Sequence, residues 1–245
     1  MTIRVFDTPA DAAASLADEV VDLIRGKPDL VLGLPTGRTP VAFYRELVRR
    51  IRRSQIDVTR LTTFNLDEFL GVGPDEPGSY RAYMERHMFQ PIHLAPGQVQ
   101  FLDGSTADPV LECGRYERAI TALGGIDVQI LGIGANGHIG FNEPADWLTI
   151  RTHRIALRPE TRRANASLFG GDAARVPQEA LSMGVGTILA ARKVVLLATG
   201  SEKARAVERM ICGPLTTAVP ASFLQLHRDV DIVLDRAAAA GLPPA

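Results

Sequence analysis

Apolar residues along the chain fall into short runs that alternate with segments of helical spacing. Asp29–Leu34 (DLVLGL), Arg60–Asn65 (RLTTFN), Asp127–Leu131 (DVQIL), Lys193–Ala198 (KVVLLA) and Asp231–Leu234 (DIVL) read as strands, with Gly97–Leu102 a shorter one. In Pro40–Arg53, Tyr44, Leu47, Val48 and Ile51 stand at i, i+3, i+4 and i+7, the stripe of a helix lying on a core. Ser79–Phe89, Asp108–Leu123, Glu160–Phe169, Val185–Ala190 and Glu202–Ile211 carry the same helical signal. Apolar strands separated by helices predict an α/β fold: a doubly wound, mostly parallel sheet with helices on both faces. No repeat, low-complexity tract or linker interrupts the pattern, so residues 1–245 are expected to form a single domain. In such sheets ligands bind beyond the carboxyl ends of the strands.

Three strand exits carry candidate chemistry. The first is GLPTGRTP, Gly33–Pro40, where Pro and Gly force a turn, Thr39 is a candidate N-cap and Pro40 suits the first helical position. Free N–H groups at a helix start favour anions, and Arg38 adds a cation, although the P-loop spacing is absent. The second is NLDEF, Asn65–Phe69, whose paired Asp67 and Glu68 suit either a general base or an exposed acidic turn. The third is LGIGANGHIGFNEP, Leu131–Pro144. Its Gly132, Gly134 and Gly137 spell GxGxxG, but Gly140, Asn142 and Pro144 resist the helix that a dinucleotide loop needs. Thr152–Leu157, about twenty residues on, also lacks the ribose-binding acid. The glycines are better explained by a backbone folded tightly round a small ligand, presenting Asn136, His138 and Glu143. Further cations stand at Arg158, Arg162 and Arg163, and Lys203 follows Ser201 at a helix start after the LLATG strand end.

Composition narrows the partners. A formal net charge of −1 in 245 residues gives no electrostatic case for nucleic acid or an anionic membrane. No apolar run approaches the ~18 residues that span a bilayer. The N-terminus mixes acids through its apolar residues, unlike a signal peptide. Cys113 and Cys212 are far apart and read as free thiols in a reducing compartment, so a cytoplasmic location is expected. No His pair has metal-ligand spacing, and no metal or cofactor is expected.

GLPTGRTP, FNLDEF, GIGANGHIGFNEP, TRRAN, SMGVGTIL, TGSEKA and SFLQLH, in this order from about Leu32 to His227, resemble the glucosamine-6-phosphate deaminase family. The resemblance implies hydrolytic deamination of glucosamine 6-phosphate to fructose 6-phosphate and ammonia without a cofactor. It implies that Asp67 is the proton-transfer base, His138 the ring-opening group, Glu143 its support, and Asn136 a further active-site residue. Many members carry Asp at that last position. Asn136 cannot ionise, so it can orient His138 by hydrogen bonding but adds no charge. Phosphate contacts map to Thr36, Gly37, Arg38, Arg162 and Lys203. Where some members bind an activating amino sugar phosphate, this chain has His153 and Ile155, and no tyrosine follows Tyr116, so activation is not expected. A 6-phosphogluconolactonase-type hydrolase and a deaminase of galactosamine 6-phosphate are the alternatives. A non-catalytic sugar-phosphate sensor would need a DNA-binding segment for which no stretch is free. Monomer and homo-oligomer are both compatible with the sequence.

Overall fold

A computed structural model describes residues 1–243. The strands are β1 (Thr2–Phe6), β2 (Val31–Leu34), β3 (Thr62–Asn65), β4 (Asp67–Phe69), β5 (Val99–Gln100), β6 (Val128–Leu131), β7 (His153–Ala156), β8 (Glu179–Ser182), β9 (Lys193–Ala198) and β10 (Val230–Asp235). The α-helices are α1 (Pro9–Gly26), α2 (Pro40–Arg53), α3 (Tyr80–Met84), α4 (Pro109–Ala122), α5 (Pro159–Asn165), α6 (Val185–Leu189) and α7 (Ala204–Cys212).

Seven parallel strands form the main sheet in the order β1-β10-β9-β6-β2-β3-β5. Strand side chains alternate between two cores, as a sheet covered on both faces requires. Val31, Phe64, Leu131, Leu196 and Ile232 pack with Tyr116 and Ile120 of α4 and Val207 and Met210 of α7. On the other face Leu32, Leu34, Ile130, Val195 and Val233 meet Leu16, Val20 and Ile24 of α1 and Phe43, Leu47 and Ile51 of α2. From β2 the chain winds outward through β3 to β5, then returns to place β6 on the opposite side of β2. The gap between the loops after β2 and β6 is therefore the topological switch point, where neighbouring loops diverge and leave a crevice.

A second, antiparallel sheet of order β4-β8-β7 sits beyond those strand ends. Asp67 opens its first strand opposite Ser182 of β8. Phe69, Tyr80, Phe141 and Ala180 form a small core there, with the Tyr80 and Phe141 rings stacked at 5.9 Å and 17°.

Helix α2 and strand β9 have the predicted bounds. Other expectations change. Thr39 caps nothing: its own backbone is helical (φ −59°, ψ −46°) and its side chain makes no cap bond. The helix expected over Ser79–Phe89 is one α-helical stretch, α3, and then a π-helical turn over Glu85–Phe89. Pro91 lacks an N–H for a continuing ladder, and His93 ends the run in the left-handed region (φ 57°). Strand β1 and helix α1 were not expected. Helix α1 is nevertheless well signalled, since Thr8 accepts from the Asp11 N–H (3.1 Å) and Pro9 begins the first turn.

Leu47 is fully buried beneath α2, the helix that follows the first loop. Leu47→Ala should lower unfolding free energy by about 2–5 kcal/mol in a urea titration. A loss below about 1 kcal/mol would mean that α2 does not pack on the sheet in this way.

Candidate active site

The loop after β2 is pinned from below. Gly37 takes φ 102°, and its carbonyl accepts from the Tyr83 hydroxyl at 2.7 Å; Pro35's carbonyl accepts from Tyr44. Both tyrosines come from the helices on that face, so the loop's backbone is fixed before any ligand arrives. The loop after β9 is held by Asp235, whose carboxylate accepts from the Gly200 N–H at 3.1 and 3.2 Å. That bond sets the short turn over Ser201–Lys203. Lys203 is pushed below the ordinary lysine value, chiefly by burial and also by Arg38, with Glu202 opposing. Two cations close enough to repel, one of them half-buried, make a place suited to an anion.

The two carboxylates of NLDEF have opposite fates. Glu68 accepts from the N–H groups of Phe69 (2.8 Å), Tyr80 (3.0 Å) and Arg81 (2.9 Å) and from the Ser79 hydroxyl (2.7 Å). It thus supports the start of α3 beside the N-cap residue Ser79. Asp67 is 5% exposed, and its buried Oδ1 has no hydrogen-bond partner. Burial, and then the charge of Glu68, push Asp67 up to about 8, against a smaller pull from the Thr36 hydroxyl. A carboxyl in this state takes up and gives back protons near neutral pH.

Between β6 and the small sheet, the glycine loop opens no helix. Its carbonyls and N–H groups bond inward, Gly134 N to His138 O and Gly137 N to Gly134 O, both at 2.9 Å. A Cβ on Gly134 would stand 2.3–2.5 Å from the His138 ring atoms, so only glycine leaves room for the ring. His138 Nδ1 faces Glu143 Oε2 at 3.4 Å, close enough to pair but not aligned as a hydrogen bond. Asn136 Nδ2 donates to the same Oε2 at 2.8 Å, and the Thr161 hydroxyl donates to Oε1. Burial raises the Glu143 pKa, but His138, Thr161 and Asn136 together outweigh it and hold the group at about 2. Glu143 is thus a carboxylate at any working pH. Phe141 N–H donates to Ser182 Oγ at 3.0 Å, tying the loop to the strand that pairs with Asp67. At Gly140 (φ 55°) an added Cβ would lie 3.7 Å from Asp67 Oδ2, so the glycine loop runs directly beside Asp67.

Asp67, Asn136, His138 and Glu143 are brought together, and Thr36 lies against Asp67. One expectation needs amending. Asn136 does not orient the imidazole directly: its Oδ1 accepts from the His138 backbone N–H (3.1 Å), and its amide reaches Glu143 instead. Arg162 is anchored through Nε and Nη2. Its guanidinium donates to the carbonyls of Ala173 (3.0 Å), Ala174 (3.2 Å) and Val176 (3.1 Å). Arg158 and Arg163 are likewise engaged, with Pro144 O and Glu160. Sequence reasoning missed Thr161 and Tyr83, because each acts across the fold on a residue far away in the chain. Among the described residues, no group of three or more His, Cys, Asp or Glu is gathered as metal ligands would be.

The family of glucosamine-6-phosphate isomerases and 6-phosphogluconolactonases matches residues 7–233. Glucosamine-6-phosphate deaminase 2 of Bacillus subtilis is 47% identical over 227 residues, covering 92% of this chain and 91% of that one. The glucosamine-6-phosphate deaminase of Bacillus velezensis is 44% identical, with 98% of each chain covered. The solved structure of a monomeric glucosamine-6-phosphate deaminase superposes with a TM-score of 0.95 at 41% identity, over 98% of this chain and 100% of that one. A 6-phosphogluconolactonase from Trypanosoma brucei shares the fold alone, with a TM-score of 0.76 at 21% identity over 99% and 98% of the two chains. The chain belongs to the glucosamine-6-phosphate isomerase and 6-phosphogluconolactonase family.

Proposed function

We propose that this protein is a glucosamine-6-phosphate deaminase, converting glucosamine 6-phosphate and water to fructose 6-phosphate and ammonia. The observation that carries the reading is Asp67: a buried carboxyl with one oxygen free of hydrogen bonds, beside the His138–Glu143 pair. Hydrolysis of a lactone needs a group to activate water, not a second, isolated base. Isomerisation at two adjacent carbons does need one. The identity to deaminases supports the same choice, whereas the lactonase likeness extends to the fold.

The steps follow from the groups available. His138 carries a proton from the C1 hydroxyl to the ring oxygen, and the C1–O bond to the ring breaks. Glu143 compensates the charge that His138 holds in passing. Asp67 takes the C2 proton, an enolamine forms, and the proton returns to C1. The resulting C2 imine adds water and expels ammonia. The phosphate is held at the loop of Thr36, Gly37 and Arg38 with Lys203, which fixes the reacting carbons over Asp67. Arg162 holds the carbonyls of Ala173, Ala174 and Val176 through Nε and Nη2, which leaves the two N–H groups of Nη1 for the phosphate. The substrate class and the two unpaired cysteines favour a cytoplasmic setting. No helix among the described residues is long and apolar enough to cross a membrane.

A carboxyl pushed up to about 8 is protonated below that pH, so in the free enzyme the base is withheld at low pH. The kcat/KM should therefore rise toward an acid limb near 8. The ammonium of bound substrate lowers the Asp67 pKa, placing the limb of kcat at lower pH. A kcat/KM limb at the ordinary carboxylate value of about 3.9 would remove Asp67 from the role. Replacing Asp67 by Asn keeps the shape and removes the basicity. Ammonia release should fall at least about 100-fold while a sugar-phosphate inhibitor still binds; a fall under about tenfold would reject the assignment. Lys203→Ala and Arg38→Ala should act mainly on KM, since phosphate lies away from the bonds that change. Unaltered KM and kcat in Lys203→Ala would show that the phosphate lies elsewhere.

A further inference from the structure

Glu143 is gripped on both oxygens, and the two grips come from different parts of the chain. Oε2 accepts from Asn136 Nδ2 at 2.8 Å and faces His138 Nδ1 at 3.4 Å, all three residues belonging to the glycine loop. Oε1 accepts from the hydroxyl of Thr161, on α5. The terminal torsion of a glutamate is broad and roughly two-fold. Partners on one oxygen alone leave the carboxylate plane free to swing and the oxygens free to exchange. A donor on the other oxygen fixes the plane. Thr161 is 3% exposed, so water does not replace it readily as that donor.

Thr161 is itself held in place. Its carbonyl accepts from Asn165 Nδ2 at 2.9 Å, and Asn165 Oδ1 accepts from the Tyr80 hydroxyl at 2.9 Å. The Tyr80 ring stacks on Phe141, two residues before Glu143. The path from α5 thus closes on the loop that bears the relay.

We propose that Thr161 is a positioning residue for ring opening: by fixing the carboxylate plane of Glu143 it keeps Oε2 facing the His138 ring, without touching substrate itself. This rests on the deaminase reading given above. Thr161→Val replaces the hydroxyl by a methyl of similar shape, Thr161→Ala removes it at smaller volume, and Thr161→Ser restores it. Ammonia release by Thr161→Val should show kcat lowered about 10- to 100-fold, within the range of acid–base assistance, with KM little changed. Thr161→Ser should return most of that loss. In a Glu143→Gln background Thr161→Val should cost nothing further, because a residue that acts through Glu143 loses its effect with it. The second readout needs no substrate: the His138 ring resonances, followed by NMR, should move in Thr161→Val and Thr161→Ala and return in Thr161→Ser. Equal losses in both backgrounds, or unmoved His138 resonances in the hydroxyl-free variants, would overturn the proposal. A wild-type enzyme that releases no ammonia would instead overturn the deaminase reading, leaving the resonances to decide the role of Thr161.

Discussion

Beyond the carboxyl ends of β3 and β6, three carboxyl groups are withdrawn from water with almost no cation beside them. Burying a carboxylate costs several kcal/mol unless donors meet it, and the site is organised by how those donors are shared out. Glu68 receives four and becomes structure. Glu143 receives the Asn136 amide and the Thr161 hydroxyl, faces an imidazole, and stays charged. Asp67 has one oxygen bare and is left close to neutrality. One functional group, the carboxyl, thus serves to hold a helix start, to stay charged and to take up a proton, according to its burial, its donors and the charges beside it. The amide of Asn136 fits this division. A carboxylate at that position would face Glu143 Oε2 at hydrogen-bond distance with no proton to offer, whereas an amide donates one.

The arrangement requires two sheets. The parallel sheet delivers the loops after β2, β6 and β9 to one end, and the switch between β2 and β6 opens the crevice. It does not by itself bring Asp67 to the glycine loop. That is done by β8, which pairs Asp67 with Ser182 while the Ser182 hydroxyl accepts from Phe141. Asn142 strengthens the joint, its side-chain amide donating to the carbonyls of Ile139 and Met183, both at 2.8 Å. A strand of four residues thus ties together Asp67 and the loop of His138, which lie about seventy positions apart in the chain.

What could be read from the sequence was whatever depends on near neighbours. The 3.6-residue stripe of α2 and the apolar run of β9 each report a local environment, and both elements have the expected bounds. The conformational demand of the glycine loop was equally legible, since no side chain is needed to see that it cannot form a helix. The small sheet was not. Its strands span three or four residues, and their faces alternate too briefly to stand out from loop. The distinction between Asp67 and Glu68 was out of reach for another reason: it is decided by the start of α3, eleven to thirteen residues downstream, curling back onto Glu68. Arg162 shows the limit from the other side. A motif position names a residue type, but the carbonyls of Ala173, Ala174 and Val176 compete for the same guanidinium.

The same distribution of donors makes the site pull stability in two directions with pH. The Glu143 pKa lies at about 2 in the folded chain against 4.5 ordinarily, so its charged form favours folding. That contribution is present above the ordinary value and is lost as pH falls toward 2. The pKa of Asp67 moves oppositely, from 3.8 to about 8. Between those values the folded chain holds a proton that the unfolded chain has released, so stability declines as pH rises through the window. At 1.36 kcal/mol for each unit of pKa the full cost is on the order of 6 kcal/mol, a large share of the 5–15 kcal/mol that holds a typical domain together. An ammonium group brought beside Asp67 cancels part of that cost, because it favours the carboxylate form. A cation or a hydrogen-bond donor placed at the bare oxygen of Asp67 therefore recovers part of the cost, and an amino sugar offers both in one group.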